Sequence, residues 1–282
     1  ESIKGKFSLS NPNYNNSDKS VYTNIQSSET DRLKDFGYKT NKTGFTLGTQ
    51  FEYYDDFYFG VGINSYYESI ETDSTASSQQ KKLKGNYFDN FINLNFDYDK
   101  RNQKFQPSQG FRNYFSTDLP IVSETNTLAN TFITTNYFEY FDSNILKSSF
   151  YFRNSNSITG DNIKLSERLY LPSNRLRGFE SGKVGPKDGN DFIGGNYIAS
   201  LNFSSNVPKI LENSQTTDII IFFDVANVWG VDYDSALDTS DEIKSAIGLG
   251  LDWFSPIGPM NFTLSQHLSK GSNDVTESFR FN

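Results

Sequence analysis

The sequence contains no cysteine and a single histidine, His267, among its 282 residues. A chain without cysteine forms neither disulfides nor thiolate sites, and one histidine cannot supply a zinc site or a catalytic triad with a partner histidine. Asp188, Asn190 and Asp191 lie close together beside Gly189, but they lack the ligand spacing of an EF-hand and indicate a solvated loop. We therefore expect no catalytic residues and no metal site.

Long hydrophobic runs are missing too. The densest run, Ile219 to Phe223, has five residues, whereas a membrane-spanning helix needs about 20. Positive charge is also scarce, since 26 Lys and Arg stand against 34 Asp and Glu, a net charge of −8. This balance argues against a nucleic-acid partner. A protein that crosses the membrane with strands remains compatible with these absences, because alternation hides its apolar surface from a hydropathy average.

The chain is rich in aromatic residues, with 26 Phe and 17 Tyr, and it places apolar residues at every second position over long stretches. A period of two predicts strands, of which we count about thirteen, and we find no convincing amphipathic helix. The fold class is therefore all-β. One strand is placed at about Ser20 to Gln26, with a polar loop after it, and a second polar loop is placed at Thr72 to Lys84.

Two all-β architectures fit this alternation: a soluble sandwich or jelly roll, and a transmembrane antiparallel β-barrel. The residues opposite the apolar positions are often glycine, asparagine or threonine, which suit a crowded lumen, and aromatic residues gather near strand ends, as they do at membrane interfaces. Short turns such as Tyr54-Asp55-Asp56 and Ser255-Pro256-Ile257-Gly258-Pro259 alternate with long polar loops. The pattern favours the barrel, with the sandwich as the alternative.

One long irregular segment, at about 159–195, differs from the other loops. It contains Arg177 followed by Gly178 and Phe179, with further glycines and a proline close behind. Glycine-rich turn chemistry around an arginine predicts a tight backbone path that carries a cation to a fixed place. Long loops of this kind are usually either functional or disordered.

Several motifs together resemble one known family. They are Leu176-Arg177-Gly178-Phe179, Val184-Gly185-Pro186, Gly194-Gly195-Asn196, Phe223-Asp224-Val225-Ala226-Asn227-Val228-Trp229, the run from Gly248 to Pro259, and Phe279-Arg280-Phe281-Asn282. This set resembles the C-terminal barrel of the BamA family of outer-membrane protein assembly factors, specifically from about Leu169 to Asn282 and more weakly upstream.

The resemblance implies a fragment of a larger barrel. The thirteen strands correspond to the fourth to sixteenth of a sixteen-strand barrel, so that the first three strands, the periplasmic POTRA repeats and the end of the closing strand are expected to be missing. A start at Glu1 without an initiating Met, and an end inside an alternating pattern, agree with a mature or trimmed piece. Residues 1–282 are thus expected to form one partial outer-membrane β-barrel domain, in which the 159–195 loop folds inward.

The resemblance also implies site residues. The loop motif Leu176, Arg177, Gly178 and Phe179 enters the barrel, where Arg177 pairs with Asp224 on the inner wall. Asn202 stands where the family often has a second acid, so it is a possible second acceptor, and Phe279 and Phe281 mark the closing strand. The residues agree on one point: Asp224 lies opposite the apolar face of its strand and points to the lumen if that face meets lipid. The alternative is a solvated loop arginine and an unrelated lumenal acid.

The function that the resemblance implies is folding and insertion of β-barrel proteins into the bacterial outer membrane by lateral-gate strand templating, without a cofactor. The implied partners are unfolded outer-membrane proteins, outer-membrane lipids, and assembly-complex lipoproteins bound through the POTRA repeats, with no nucleic acid. Two alternatives remain open: a TamA-like or two-partner secretion translocation factor of the same superfamily, and a passive porin. An outer-membrane hydrolase would need a partner serine for His267, and none is evident.

Overall fold

The structure is a computed structural model that describes residues 2–141, 144–207, 217–255 and 258–281. Thirteen antiparallel strands within these residues form one sheet, and each strand pairs with the next along the chain apart from a small separate hairpin, β9 and β10. The predicted number of strands and the all-β class are confirmed. The strands are β1 (Ser2–Asn11), β2 (Ser20–Arg32), β3 (Tyr38–Tyr54), β4 (Phe57–Thr72), β5 (Gly85–Asp99), β6 (Gly110–Ser123), β7 (Thr127–Phe141), β8 (Asn144–Ser157), β9 (Lys187–Asp188), β10 (Asp191–Phe192), β11 (Tyr197–Asn206), β12 (Thr217–Trp229), β13 (Lys244–Ser255), β14 (Gly258–Ser269) and β15 (Phe279–Phe281).

Among the residues that the structure describes, helical structure is limited to short pieces in the connections. They are α1 (Leu33–Phe36), α2 (Ser78–Lys82) and single 3₁₀ turns at Tyr14–Asn16, Leu165–Glu167 and Ser235–Leu237. Over the described ranges, none of the helices is long and apolar enough to cross a membrane.

One face of the sheet is apolar and exposed. Phe203, Phe223 and Ile247 lie side by side on β11, β12 and β13, and each has more than a third of its surface exposed, at 38%, 37% and 43%. A soluble sandwich would bury such a face against a second sheet, whereas a membrane barrel turns it to lipid. The exposed apolar band therefore agrees with the barrel and not with the sandwich.

The opposite face carries small residues where large ones approach. Gly48 and Gly62 are partners across β3 and β4, and the ring and hydroxyl of Tyr22 lie directly over them. A side chain at Gly48 would collide with the Tyr22 ring. Glycine at position 48 therefore leaves room for the side chain of Tyr22, which points into the lumen. This close packing agrees with the crowded lumen that the sequence predicts.

Two predicted loops are wrong in part. β2 continues past Gln26 to Arg32, because the stretch from Ser27 to Arg32 pairs residue by residue with β3. The residues from Ser27 to Arg32 are all polar, so apolar and polar residues do not alternate there. The period of two in the sequence therefore ends before the strand ends. The predicted loop at Thr72 to Lys84 contains α2, which is closed by a capping box between Ser77 and Gln80.

The hydrophobic core lies inside the curve of the sheet. The connection between β8 and β11 packs its apolar side chains, among them Leu169, Leu176 and Phe179, against Ile198, Val228 and Ala246 of the inner wall. The same connection reaches β4 and β5 through Lys164, so the sheet must curve around it. The loop predicted to fold inward does so, and it forms the centre of the molecule.

Candidate functional site

The candidate site is the clamp between Arg177, on the inward loop, and Asp224, on the inner face of β12. The Arg177 Nε donates to Asp224 Oδ2 at 2.7 Å, and a terminal guanidinium nitrogen donates to Oδ1 at 2.7 Å. The Arg177 backbone N–H adds a third hydrogen bond to Oδ2 at 3.0 Å. This bidentate geometry is the strongest form of an arginine–carboxylate pair.

The clamp is shielded from water. Asp224 is fully buried, and only 18% of the Arg177 side chain is exposed. The guanidinium also lies 3.7 Å from the centre of the Phe222 ring, which belongs to the same strand as Asp224. Removing one partner of a pair as buried as this typically costs about 3–5 kcal/mol, because the remaining charge has no partner.

The residues on either side of Arg177 set its depth in the lumen. Leu176 and Phe179 are each only 1% exposed and belong to the core. Between them Gly178 has a φ of +90°, and an added Cβ would lie 3.2 Å from Ser265 and 3.3 Å from Ala246. Glycine is thus required for both the left-handed turn and the close approach. Leu176 and Phe179 thus anchor the motif in the core, and the turn at Gly178 helps to orient Arg177 toward Asp224.

Asn202 differs from the expected role. It is the partner of Asp224 across β11 and β12, but its Nδ2 donates to Asp224 Oδ1 and to the Arg175 carbonyl, both at 2.8 Å. It therefore stabilises the carboxylate and the loop backbone as a donor, and the described contacts do not include an acceptor role toward Arg177. Asp224 accepts from Nε and one terminal nitrogen of Arg177, and the Asn202 amide donates to the same carboxylate.

A second attachment involves Arg280 on β15, which sequence reasoning did not single out. Its guanidinium donates to the Ser173 carbonyl at 3.1 Å and to the Phe179 carbonyl at 2.5 Å, and it pairs with Glu277 at 2.7 Å. Phe279 and Phe281, predicted as the closing-strand signal, point outward with more than half of their surface exposed. Arg280, which lies between them and points inward, is thus the residue of β15 that contacts the loop.

Backbone hydrogen bonds reinforce this attachment. Glu180 N donates to the Val275 carbonyl at 2.9 Å, Val275 N to the Lys183 carbonyl at 3.0 Å, and Glu277 N to the Gly178 carbonyl at 3.0 Å. The loop therefore runs alongside the segment that leads into β15 and is fastened to it over several residues.

A third attachment fixes the start of the loop. Lys164 donates to Glu68 on β4 at 3.2 Å and also contacts Asp89 on β5, and it lies 3.3 Å from Glu167. The side chains of Lys164, Glu68 and Asp89 are each 2% exposed. Burial opposes the charge of Lys164, but the three carboxylates outweigh it and raise the lysine pKa overall. Burial raises the pKa of Glu167, a rise that Lys164 and Thr127 only partly offset.

Sequence reasoning missed Lys164 because its partners are 96 and 75 residues away and follow no spacing rule. In the sequence Lys164 is one of several charged residues at the start of the loop, beside Asp161, Glu167 and Arg168, and nothing there distinguishes it. The described part of the chain contains no group of three or more His, Cys, Asp or Glu side chains placed to hold a metal ion. What the three attachments provide is a loop held rigidly inside a curved sheet.

Comparison with known proteins agrees with this architecture. A family model described as the Omp85 superfamily domain matches residues 1–282. Two curated relatives are each named outer membrane protein assembly factor BamA. The protein of Neorickettsia risticii is 23% identical over 250 residues, which are 86% of this chain and 34% of that protein. The protein of Neisseria meningitidis is 28% identical over 133 residues, 38% of this chain and 17% of that protein.

Solved structures show the fold. BamA from Haemophilus ducreyi lacking POTRA domains 1–3 superposes with a TM-score of 0.88 at 18% identity, over 99% of this chain and 61% of that one. CdiB from Acinetobacter baumannii superposes with a TM-score of 0.60 at 11% identity, over 100% of this chain and 49% of that one.

The chain spans about a third or less of the curated relatives that it matches. The family model nevertheless covers its whole length, and the barrel resembles that of BamA along almost every residue. With its exposed apolar face, crowded lumen and inward arginine loop, this chain belongs to the Omp85 superfamily.

Proposed function

We propose that this outer-membrane β-barrel belongs to a protein that folds and inserts other β-barrel proteins into the bacterial outer membrane. The observation that carries the proposal is the Arg177–Asp224 clamp in the lumen of an Omp85 barrel. The curated relatives are named assembly factors, and their name supports the same role for the whole protein of which this barrel forms a part.

The physical basis is the cost of unpaired backbone in lipid. A strand that enters the bilayer without a neighbour leaves its N–H and C=O groups unsatisfied, at several kcal/mol for each group. A barrel that opens between its first and last strands offers an edge on which the entering strand can pair. Strand exchange of this kind forms and breaks hydrogen bonds only, so it requires neither a nucleotide nor another cofactor.

The inward loop has a defined part in this mechanism. It is attached to β12 through Asp224, to β15 through Arg280, and to β4 and β5 through Lys164. Three backbone hydrogen bonds also attach it to the segment before β15. A brace between distant strands keeps the wall in register while one edge opens. Loss of the clamp should therefore impair insertion without removing the strands.

Unfolded outer-membrane proteins are the proposed substrates. Their strands would pair with the barrel edge within the lipids of the outer membrane. Assembly-complex lipoproteins are proposed to bind outside this barrel, at POTRA repeats of the full-length protein.

The test is an insertion assay with the full-length protein in liposomes, in which the folding rate of a urea-denatured outer-membrane barrel is followed. The protein should accelerate folding, and both Arg177→Ala and Asp224→Ala should reduce the acceleration. Lys82→Ala removes an exposed cation from α2 and is the matched control, expected to have no effect. Ion conductance without any acceleration would favour a porin or a translocation factor instead.

A further inference from the structure

The outer face of the sheet has a different composition on β12 than on β6 and β7. On β12 every second residue from Ile219 to Val225 is hydrophobic and faces outward, beside the outward residues of β13. The outward positions of β6 and β7 instead include Asn113, Asn130 and Asn136, which we call the outer asparagines. Because lipid requires an apolar face, the presence of these three residues needs a physical reason.

The alternation of strand side chains places the outer asparagines on the lipid-facing side. Cavities inside the barrel are lined by Tyr114 of β6 and by Tyr137 of β7, so odd-numbered residues of β6 and even-numbered residues of β7 face outward. Phe115 and Phe132 follow the same numbering, pair with each other across the two strands and are each 36% exposed. The outer asparagines therefore share the face on which these aromatic rings lie.

The outer asparagines lie at the depth of the hydrocarbon chains. From Leu128 to Phe138, both of which face outward, β7 rises about 33 Å, and a tilt of roughly 40° reduces this to a height of about 25 Å. That height equals the usual apolar band of a membrane barrel. Two outer asparagines lie between these two residues, and the third, Asn113, pairs with Thr134 near the middle of the stretch.

The amides of the outer asparagines have no partner within the barrel. None of the three side chains forms a hydrogen bond to another residue among those that the structure describes. Asparagines of the lumen differ in this respect, since Asn93 donates to Ser116 at 3.1 Å and to Asp118 at 2.8 Å. An amide without a partner is costly in hydrocarbon, where no water replaces the missing bond. A partner from outside the chain is therefore expected at this wall.

The residues around the asparagines narrow the class of partner. Lipid tails offer no hydrogen bonds, and lipid headgroups lie above and below this depth. Across the described stretches 111–119, 128–138 and 146–154 of β6, β7 and β8, no outward residue is charged, so ionic pairing is not involved. Thr134 and Ser148 each lie directly beside an outer asparagine and are small enough to let a second surface come close. These features fit a neighbouring membrane protein with neutral polar groups.

A second copy of this chain supplies neutral polar groups of the matching kind. A side-chain amide has two donor hydrogens and one acceptor oxygen, so a cluster of asparagines is complementary to an identical cluster that faces it. Two-fold dimers, in which the same patch of both subunits meets itself, are the commonest assemblies of identical chains. We propose that two copies of this barrel associate side by side in the membrane, with the outer asparagines of β6 and β7 hydrogen-bonded across the interface.

The experiment measures association in the absence of any substrate, so its outcome does not depend on the proposed insertion function. The full-length protein is placed in liposomes at several protein-to-lipid ratios, with donor and acceptor dyes on separate copies, and energy transfer gives the dissociation constant. The interface is located by oxidising single-cysteine variants to disulfides, namely Asn130→Cys, Asn136→Cys and Leu249→Cys. This chain contains no cysteine of its own, and any cysteine elsewhere in the full-length protein is first replaced by serine.

We expect energy transfer that falls as lipid dilutes the protein, and disulfide dimers of Asn130→Cys or Asn136→Cys. Leu249→Cys is the matched control and should give few dimers, because Leu249 lies on the outer face of β13 with 50% of its surface exposed. The double variant Asn130→Leu/Asn136→Leu should raise the dissociation constant by about tenfold or more, since hydrogen bonds between polar groups in the membrane are lost. Thr49→Leu removes a polar group from the outer face of β3 and should change nothing. Circular dichroism of each variant shows whether the barrel is intact.

Four results would overturn the proposal. The first is a monomer at every protein-to-lipid ratio, and the second is an unchanged dissociation constant in folded Asn130→Leu/Asn136→Leu. The third is cross-linking of Leu249→Cys that equals or exceeds the cross-linking at both asparagine positions, which would indicate random collision or a different interface. The fourth is a disulfide from Asn130→Cys or Asn136→Cys to another protein in native outer membranes, without dimers of this chain.

Discussion

The residue that matters most in the loop is Arg177, because its three hydrogen bonds all end on one buried carboxylate. Removing one member of such a pair lowers the free energy of unfolding far more than removing both. Two buried charges compensate each other, whereas either one alone is left unsatisfied in a shielded site. The clamp should therefore show strong non-additivity, which a surface ion pair would not.

A double-mutant cycle tests this asymmetry. We expect Arg177→Ala or Asp224→Ala to lower the free energy of unfolding by about 3–5 kcal/mol each, and the double variant to cost far less than their sum. The measurement is urea unfolding of the protein in lipid vesicles. Additive losses would mean that the two side chains act independently and that the clamp has no energetic role.

Gly178 offers a second test at the scale of a single residue. Gly178→Ala adds a strained left-handed residue and a Cβ only 3.2 Å from Ser265, so it should destabilise the loop by more than the 1–3 kcal/mol, roughly, of strain alone. Gly160→Ala is the matched control, since Gly160 has a φ of +86° with nothing within 4 Å. Limited proteolysis of the loop compares the two. Equal cleavage rates would show that the close approach to β14 does not matter.

The principal element is the long loop, and its start is held by a cluster in which one buried cation faces three acids. Because the cluster carries excess negative charge, Lys164 is essential to it and Glu167 is not. Lys164→Met should release the loop at a cost of about 3–5 kcal/mol, because Glu68 and Asp89 would remain buried without their cation. Hydrogen exchange at residues 158–170 would report the release.

Lys183→Met is the matched control for that substitution. Lys183 pairs with Asp35 and Glu180 in a more exposed place, with 21% of its side chain exposed, so its loss should cost no more than about 1 kcal/mol. Equal hydrogen exchange in the two variants would contradict the idea that Lys164 anchors the loop.

The same cluster predicts a dependence on pH. The pKa of Glu167 is raised above its ordinary value of 4.5 in the folded protein. A raised carboxyl pKa means that the folded state binds the proton more tightly, so stability falls as the pH rises from 4.5 through the folded pKa. Glu167→Gln should flatten this part of the profile, as measured by thermal unfolding from pH 4.5 to 8. An unchanged slope in the variant would exclude Glu167 as its source.

The strands show where sequence reasoning succeeds and where it stops. Strands with one lipid face and one lumenal face show the period of two, so their number and order could be predicted. The stretch from Ser27 to Arg32 is polar on both faces, and its pairing with β3 left no such signal. In the same way, Arg177 and Asp224 lie in recognisable motifs, whereas Lys164 lies in none. Arg280 lies in the closing-strand motif, but its contacts with the loop depend on partners that only the folded chain brings near.

At the scale of the whole molecule, the loop connects the inner wall to the closing segment. Arg280 donates to two loop carbonyls, so motion of the loop and of β15 should be coupled. Arg280→Ala should increase hydrogen exchange at both 173–179 and 274–281, because each side loses partners. The pairing of β5 with β6 lies away from this contact and serves as the internal reference. Faster exchange at only one of the two segments would mean that they move independently.

The attachments of the loop also have a consequence for the order in which the chain folds. Lys164 meets Glu68 across 96 residues of sequence, and Arg280 meets Phe179 across 101. Contacts between residues so distant in sequence close late and slow the folding of a domain. The partners of the loop include Asp224 on β12 and Arg280 on β15, so the loop can dock fully only after both strands have formed. Formation of the C-terminal third should therefore limit the rate at which this barrel folds. Docking of the loop should be the step after which the strands no longer separate.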